Sequence, residues 1–147
     1  MAKKLSLPVL LILLLLPILA ACSPKAQIPG HNHPMAPLAE MPDMVIEAPE
    51  TVQEAFQYAV ANPDILSQIP CYCGCGAMGH QSNYDCYVAG ETPAGELSFD
   101  NHALGCSICV DITQDTMRLI DQGKSMPEIL SYVNDTYSRF GPPTTGE

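Results

Sequence analysis

The chain contains no tryptophan, and its aromatic residues are three phenylalanines and six tyrosines. A core built from so few large rings must be modest. Basic residues are also scarce. Six lysines and arginines stand against 16 acidic residues, for a formal net charge of −10. That sign disfavours nucleic acid as a partner, because phosphate backbones are bound by cationic surfaces. Gly-x-Ser-x-Gly, phosphate-loop and His-Glu-x-x-His patterns are all missing, so hydrolytic and acyl-transfer chemistry finds little support. Asp85, Glu96 and Asp100 read as turn formers and caps rather than as paired acids.

The chain opens with an address. Lys3 and Lys4 precede an apolar run from Leu5 to Leu19, broken by Pro8 and Pro17. The run is short for a membrane span of about 20 residues and has the layout of a signal peptide. Leu19-Ala20-Ala21-Cys22 reads as a lipobox, which makes residues 1–21 a lipoprotein signal peptide and Cys22 the lipid attachment site. The expectation is a protein tethered by its N-terminal lipid to the outer face of the cell membrane. Loss of Lys3 and Lys4 leaves four basic residues against the same 16 acidic ones.

Residues 22–48 read as a linker. Pro24, Pro29, Pro34, Pro37 and Pro42 forbid a continuous helix,, so an extended, mobile segment is expected. It carries His31, His33, Met35, Met41 and Met44, whose imidazole and thioether groups are copper donors. His31, His33 and Met35 are therefore candidates for auxiliary metal capture. The alternative is a polar spacer in which they are incidental.

A helical domain is expected over residues 49–141, followed by a disordered tail, 142–147. Val52, Ala55, Phe56, Ala59 and Val60 form one apolar stripe, with Thr51 and Glu54 read as a capping box. A short helix follows Asn62-Pro63 and stops before Pro70. A third helix runs from about Cys106 to Gln122, with Gly123 at its C′ position. A fourth begins at Ser125, with Pro127 in its first turn, Glu128 at N3 and Ile129, Leu130, Val133 and Tyr137 on its apolar face. Residues 70–105 lack apolar periodicity. The fold class is thus mainly α, with a long irregular loop bearing cysteine and histidine. An unstructured loop of that length in a compact domain needs something besides a hydrophobic core to order it. A metal or disulfides can each do so.

Six cysteines remain besides Cys22: Cys71, Cys73, Cys75, Cys86, Cys106 and Cys109. An even number in an exported chain allows disulfides. Yet a Cys-x-Cys-x-Cys run makes bridges among its own members only awkwardly. Thiolates converging from one glycine-containing loop suit a soft ion. Cys106-Ser107-Ile108-Cys109 at a helix start supplies half a metal site, or a redox dithiol. His80 and His102 lie in the same thiol-rich region, as ligands or hydrogen-bonded to ligands. Met78, three residues after Cys75, is a further sulfur donor or, in the favoured reading, a packing residue.

Pro70-Cys71-Tyr72-Cys73-Gly74-Cys75, then Gly79-His80-x-Ser82-Asn83-Tyr84-Asp85-Cys86, then His102 and Cys106-x-x-Cys109, resemble the bacterial lipoprotein family named for its PCYCGC motif. The resemblance covers roughly residues 49–140. It implies an extracytoplasmic lipoprotein with a metal-type cysteine pattern. Gly123-Lys124-Ser125, Glu128-Ile129, Tyr132-Val133 and Tyr137 are also similar to the helical end of the cytochrome c maturation thiol-reductase subunit. That similarity implies a packed hairpin of the last two helices.

The favoured expectation is a binding protein rather than an enzyme. It holds a soft ion, Cu(I) first and zinc second, through the six cysteines with His80 and His102. It exchanges that ion with a donor or acceptor protein. The alternatives are a thiol-disulfide oxidoreductase using Cys106 and Cys109, and a disulfide-stapled adaptor without chemistry.

Overall fold

A computed structural model describes residues 32–144. The signal peptide, Cys22, His31 and the last three residues lie outside the described residues. Among those described, no helix is long and apolar enough to cross a membrane.

Three helices make the body: α2 (Glu50–Ala61), α5 (Ser107–Asp121) and α6 (Met126–Tyr137). The single turn α1 (Asp43–Ile46) precedes them, and the single turns α3 (Pro63–Leu66) and α4 (His102–Gly105) lie between α2 and α5. α2 packs on α5, and α5 packs on α6. Their stripes meet through Ala55, Phe56, Ala59, Ile112, Leu119, Ile129 and Val133, all buried. Each helix hides one face, as its 3.6-residue periodicity requires.

The caps follow the sequence in one case and depart from it in another. Ser125 and Glu128 form the expected reciprocal capping box of α6. α5 ends with Lys124 N–H donating to Leu119 O and Gly123 N–H to Ile120 O, the paired bonds of a Schellman turn,. The capping box read at Thr51 and Glu54 does not form. α2 already starts at Glu50, with Pro49 as N-cap, so Thr51 lies inside the helix. Gln114 Nε2 reaches it instead, donating to Thr51 O and to Glu54 Oε2.

The extended, mobile segment expected up to residue 48 is instead packed from residue 32 onward. Gln57 Nε2 donates to Ala36 O at 2.7 Å while Ala36 N–H donates to Gln57 O at 3.0 Å. Asn62 Nδ2 donates to Pro34 O. These bonds satisfy a proline-rich backbone that cannot satisfy itself. They let Met35, Met41 and Val45 enter the core, and a small aromatic-poor domain needs that additional apolar burial.

Residues 70–105 are not wholly irregular either. β1 (Val88–Glu91) pairs antiparallel with β2 (Leu97–Phe99), in register Val88 to Phe99 and Glu91 to Leu97, with an irregularity between Val88 and Gly90. Phe56 holds this hairpin to α2, edge-on to Tyr87 at 5.0 Å and tilted to Phe99 at 6.4 Å,. At the other end, the expected disordered tail is ordered through Thr144. Its N–H donates to Cys71 O and its Oγ1 accepts from Cys71 N–H, both at 2.8 Å.

Candidate metal centre

The Cys-x-Cys-x-Cys run turns inward because its glycines allow it. Gly74 and Gly79 adopt φ of 84° and 95° and bracket a 3₁₀ turn over Cys75–Met78. These are left-handed conformations that other residues adopt at a cost. Thr144 holds the run at Cys71, and Asn83 N–H, donating to Ile69 O at 2.7 Å, fixes the returning loop. A second 3₁₀ turn, Tyr84–Cys86, delivers Cys86. α4 delivers His102, and the first turn of α5 delivers Cys109.

These pieces bring all eight predicted donors together. Cys109 Sγ lies 3.4 Å from Cys71, 3.5 Å from Cys73 and 3.3 Å from Cys86. Cys71 and Cys73 are 3.4 Å apart, and Cys75 and Cys86 are 3.7 Å apart. His102 Nε2 is 3.3 Å from Cys73 Sγ, and His80 Nδ1 is 3.5 Å from Cys86 Sγ. Cys106 joins Cys73, Cys109 and His102 in a set whose donor atoms all lie within 4.8 Å of one another. A tetrahedral ion with metal–sulfur bonds of about 2.3 Å spaces its sulfurs about 3.8 Å apart. The observed separations are those of thiols ready to share a metal. All six cysteines are free thiols, and Cys71, Cys75, Cys86 and Cys109 are buried.

Electrostatics explain why a cation suits this cluster. Hydrogen bonds from Cys109 and Cys86 hold the Cys71 thiol below the usual range. The others go the opposite way. Cys109 is raised by its hydrogen bonds to Cys71 and Cys86 and by burial. For Cys86 the Cys109 hydrogen bond lowers the value, but donation to Cys71 and burial outweigh it and the net shift is upward. Burial raises Cys73 and Cys75. Burial and mutual proximity thus oppose ionisation of most of these thiols. A positive ion removes the penalty that keeps them protonated.

Several supporting residues carried no clear signal in the sequence. Asp100 accepts from His102 N–H at 2.7 Å through Oδ1, and its Oδ2 lies 3.5 Å from His80 Nε2. It therefore caps a turn as read, and it also orients a histidine whose other nitrogen faces Cys86, the carboxylate–histidine pairing common behind metal ligands. Asn83, Tyr87 and Thr113 surround the Cys109 carbonyl in a buried hydrogen-bonded group. Asn83 sits between His80 and Cys86 in sequence, and that neighbourhood was the one available hint. Asp85, as expected, closes a turn by accepting from Gln81 and Ser82 N–H.

The auxiliary donors fall elsewhere. His33 is buried, 2.9 Å from Asp121 Oδ1 and edge-on to Tyr58. Met35 is part of the core. Neither belongs to the cluster or to a loose capture tail. Met78 does not pack as read. It is 58% exposed and lines, with His80, Asp85 and Asp100, a cleft of about 360 Å³.

Fold and site together define a small, mainly α-helical, cysteine-rich domain whose Cys/His cluster can hold a metal ion. The chain belongs to the PCYCGC family, described as proteins of unknown function with a PCYCGC motif, whose model matches residues 11–146. No curated protein and no solved structure gives a match.

Proposed function

We propose that this protein is a lipid-anchored, extracytoplasmic metal-binding protein that takes up a soft ion, Cu(I) in preference to Zn(II), for trafficking, sensing or detoxification. The observation that carries the reading is Cys109 Sγ standing within 3.5 Å of three other cysteine sulfurs, with no disulfide among the six described cysteines. Three sulfurs packed around a fourth are more than a single staple uses. They serve thiolate coordination, and thiolate-rich donor sets favour Cu(I) and zinc over harder ions. The lipobox supports the membrane anchor, and the cleft beside His80 offers a face from which a donor or acceptor protein can exchange the ion.

The test is anaerobic purification with elemental analysis and a thiol count, followed by competition against a Cu(I) chelator. Bound copper, with thiols shielded from alkylation until the metal is removed, is the expected result. Failure to take up either Cu(I) or Zn(II) would refute the reading. Because Cys73, Cys75, Cys86 and Cys109 hold their protons firmly, affinity should rise with pH as proton competition fades.

One observation favours a second reading. Cys106 is partly exposed at the N-cap of α5, with Cys109 buried one turn on, the layout of an attacking and a resolving thiol. A Cys109→Ser variant that traps a mixed disulfide at Cys106 would support an oxidoreductase.

A further inference from the structure

We propose that the cluster is a two-ion centre made of two adjoining donor sets, one Cys₃His and one Cys₃ with His80 at its edge, with Cys109 and Cys71 meeting at the junction. This inference rests on the metal-binding reading above and concerns how many ions that site holds and how they are divided.

The first set is Cys73, His102, Cys106 and Cys109, with every donor atom within 4.8 Å of the others. The second contains Cys71, Cys75 and Cys86, again mutually within 4.8 Å. His80 stands at its edge, with Nδ1 3.5 Å from Cys86 Sγ. The first set is three thiols and one imidazole, a full complement for a four-coordinate ion, and the second is three thiols, a set that suits Cu(I), with His80 beside it. Eight donors exceed what one such ion can use. One ion would also leave a surplus of buried sulfurs either protonated or carrying uncompensated charge, and the second state is costly.

The sets are not separate sites. Cys109 of the first lies 3.4 Å from Cys71 and 3.3 Å from Cys86 of the second. Cys73 lies 3.4 Å from Cys71. Sulfurs this close place two ions within reach of a common thiolate. With metal–sulfur bonds of about 2.3 Å, two ions bridged by one sulfur lie no more than about 4.6 Å apart. The two histidines meet edge-on, with ring centroids 5.4 Å apart, one at each set. Each set also has its own approach from solvent. The cleft at Met78, His80 and Asp100 adjoins the second set. A second cleft, lined by Thr51, Leu104, Cys106 and Asp111, adjoins the first.

The experiment is anaerobic loading of the full chain with Cu(I) alone and with Zn(II) alone. Ions per chain are counted by native mass spectrometry, and metal neighbours are read by X-ray absorption. Two ions per chain with a metal–metal distance below about 4.6 Å are expected. Cys75→Ser and Cys106→Ser, each removing a donor from one set only, should each retain one ion and lose the metal–metal signal. One ion per wild-type chain, or three or more, overturns the two-set arrangement and leaves the metal-binding reading intact. No bound ion ends both. The wild-type count decides the matter even where a variant fails to fold.

Discussion

Replacing Thr113 by valine should cost about 2 kcal/mol of folding stability, because it leaves a buried acceptor without a donor. Thr113 Oγ1 donates to Asn83 Oδ1 at 2.6 Å, and Tyr87 Oη lies 2.7 Å from it. Asn83, Tyr87 and Thr113 are all buried, so water cannot replace the lost partner. Valine has nearly the same volume, so no sizeable cavity opens, and the cost is that of one orphaned carbonyl oxygen, about 1–3 kcal/mol. Tyr87→Phe makes the internal comparison. Its hydroxyl donates to Cys109 O at 2.9 Å, but that oxygen keeps Asn83 Nδ2 at 3.2 Å, and Thr113 still donates to Asn83. Phenylalanine should therefore cost only about 1 kcal/mol. Urea unfolding of reduced, metal-free protein, followed by far-UV circular dichroism, measures both without linkage to bound metal. The valine variant should melt roughly 8 °C lower, at about 4 °C per kcal/mol for a domain near 100 residues. A loss below about 0.5 kcal/mol, or a larger loss for Tyr87→Phe, would refute the assignment of Thr113 as the central donor.

Asp100→Asn should lower metal affinity by about 10- to 100-fold, since it weakens the partner of His80 and leaves the ligands in place; chelator competition reads this, and an unchanged affinity would remove Asp100 from the site. Gly141→Ala should destabilise by about 1–3 kcal/mol, because its Cβ would stand 2.9 Å from Tyr72 O; denaturant unfolding checks it, and a neutral result would mean the C-terminal strap yields freely. The Glu128 carboxyl is held down at about 2 by Lys124 and by the N–H and hydroxyl of Ser125. Its contribution is therefore present above the ordinary carboxylate range and lost as pH falls towards 2. Wild type should exceed Glu128→Gln in stability near pH 6, and the two curves should converge by about pH 2.

The helices were legible because each carries its own signal. The stripe on α2, the Ser125 and Glu128 box and the Gly123 stop depend on residues three or four apart, and local periodicity is what a sequence displays. The eight donors were legible for a chemical reason, since few structural needs call for that many thiols. What stayed hidden depends on distant partners. The prolines of residues 32–48 rule out helix, and they do not rule out packing. Whether such a segment is loose or docked is decided by Gln57 and Asn62, up to 28 residues away. The hairpin at 88–99 was obscured because its strands are short and mostly exposed, so no alternation develops. The same physics governs the site. Cys71 and Cys109 are 38 residues apart, and their meeting is imposed by Asn83, Tyr87 and Thr113 gripping one carbonyl. Nothing in the spacing of the cysteines reveals that Cys109 touches three other sulfurs. That contact turns a list of ligands into two joined sets, and only the fold supplies it.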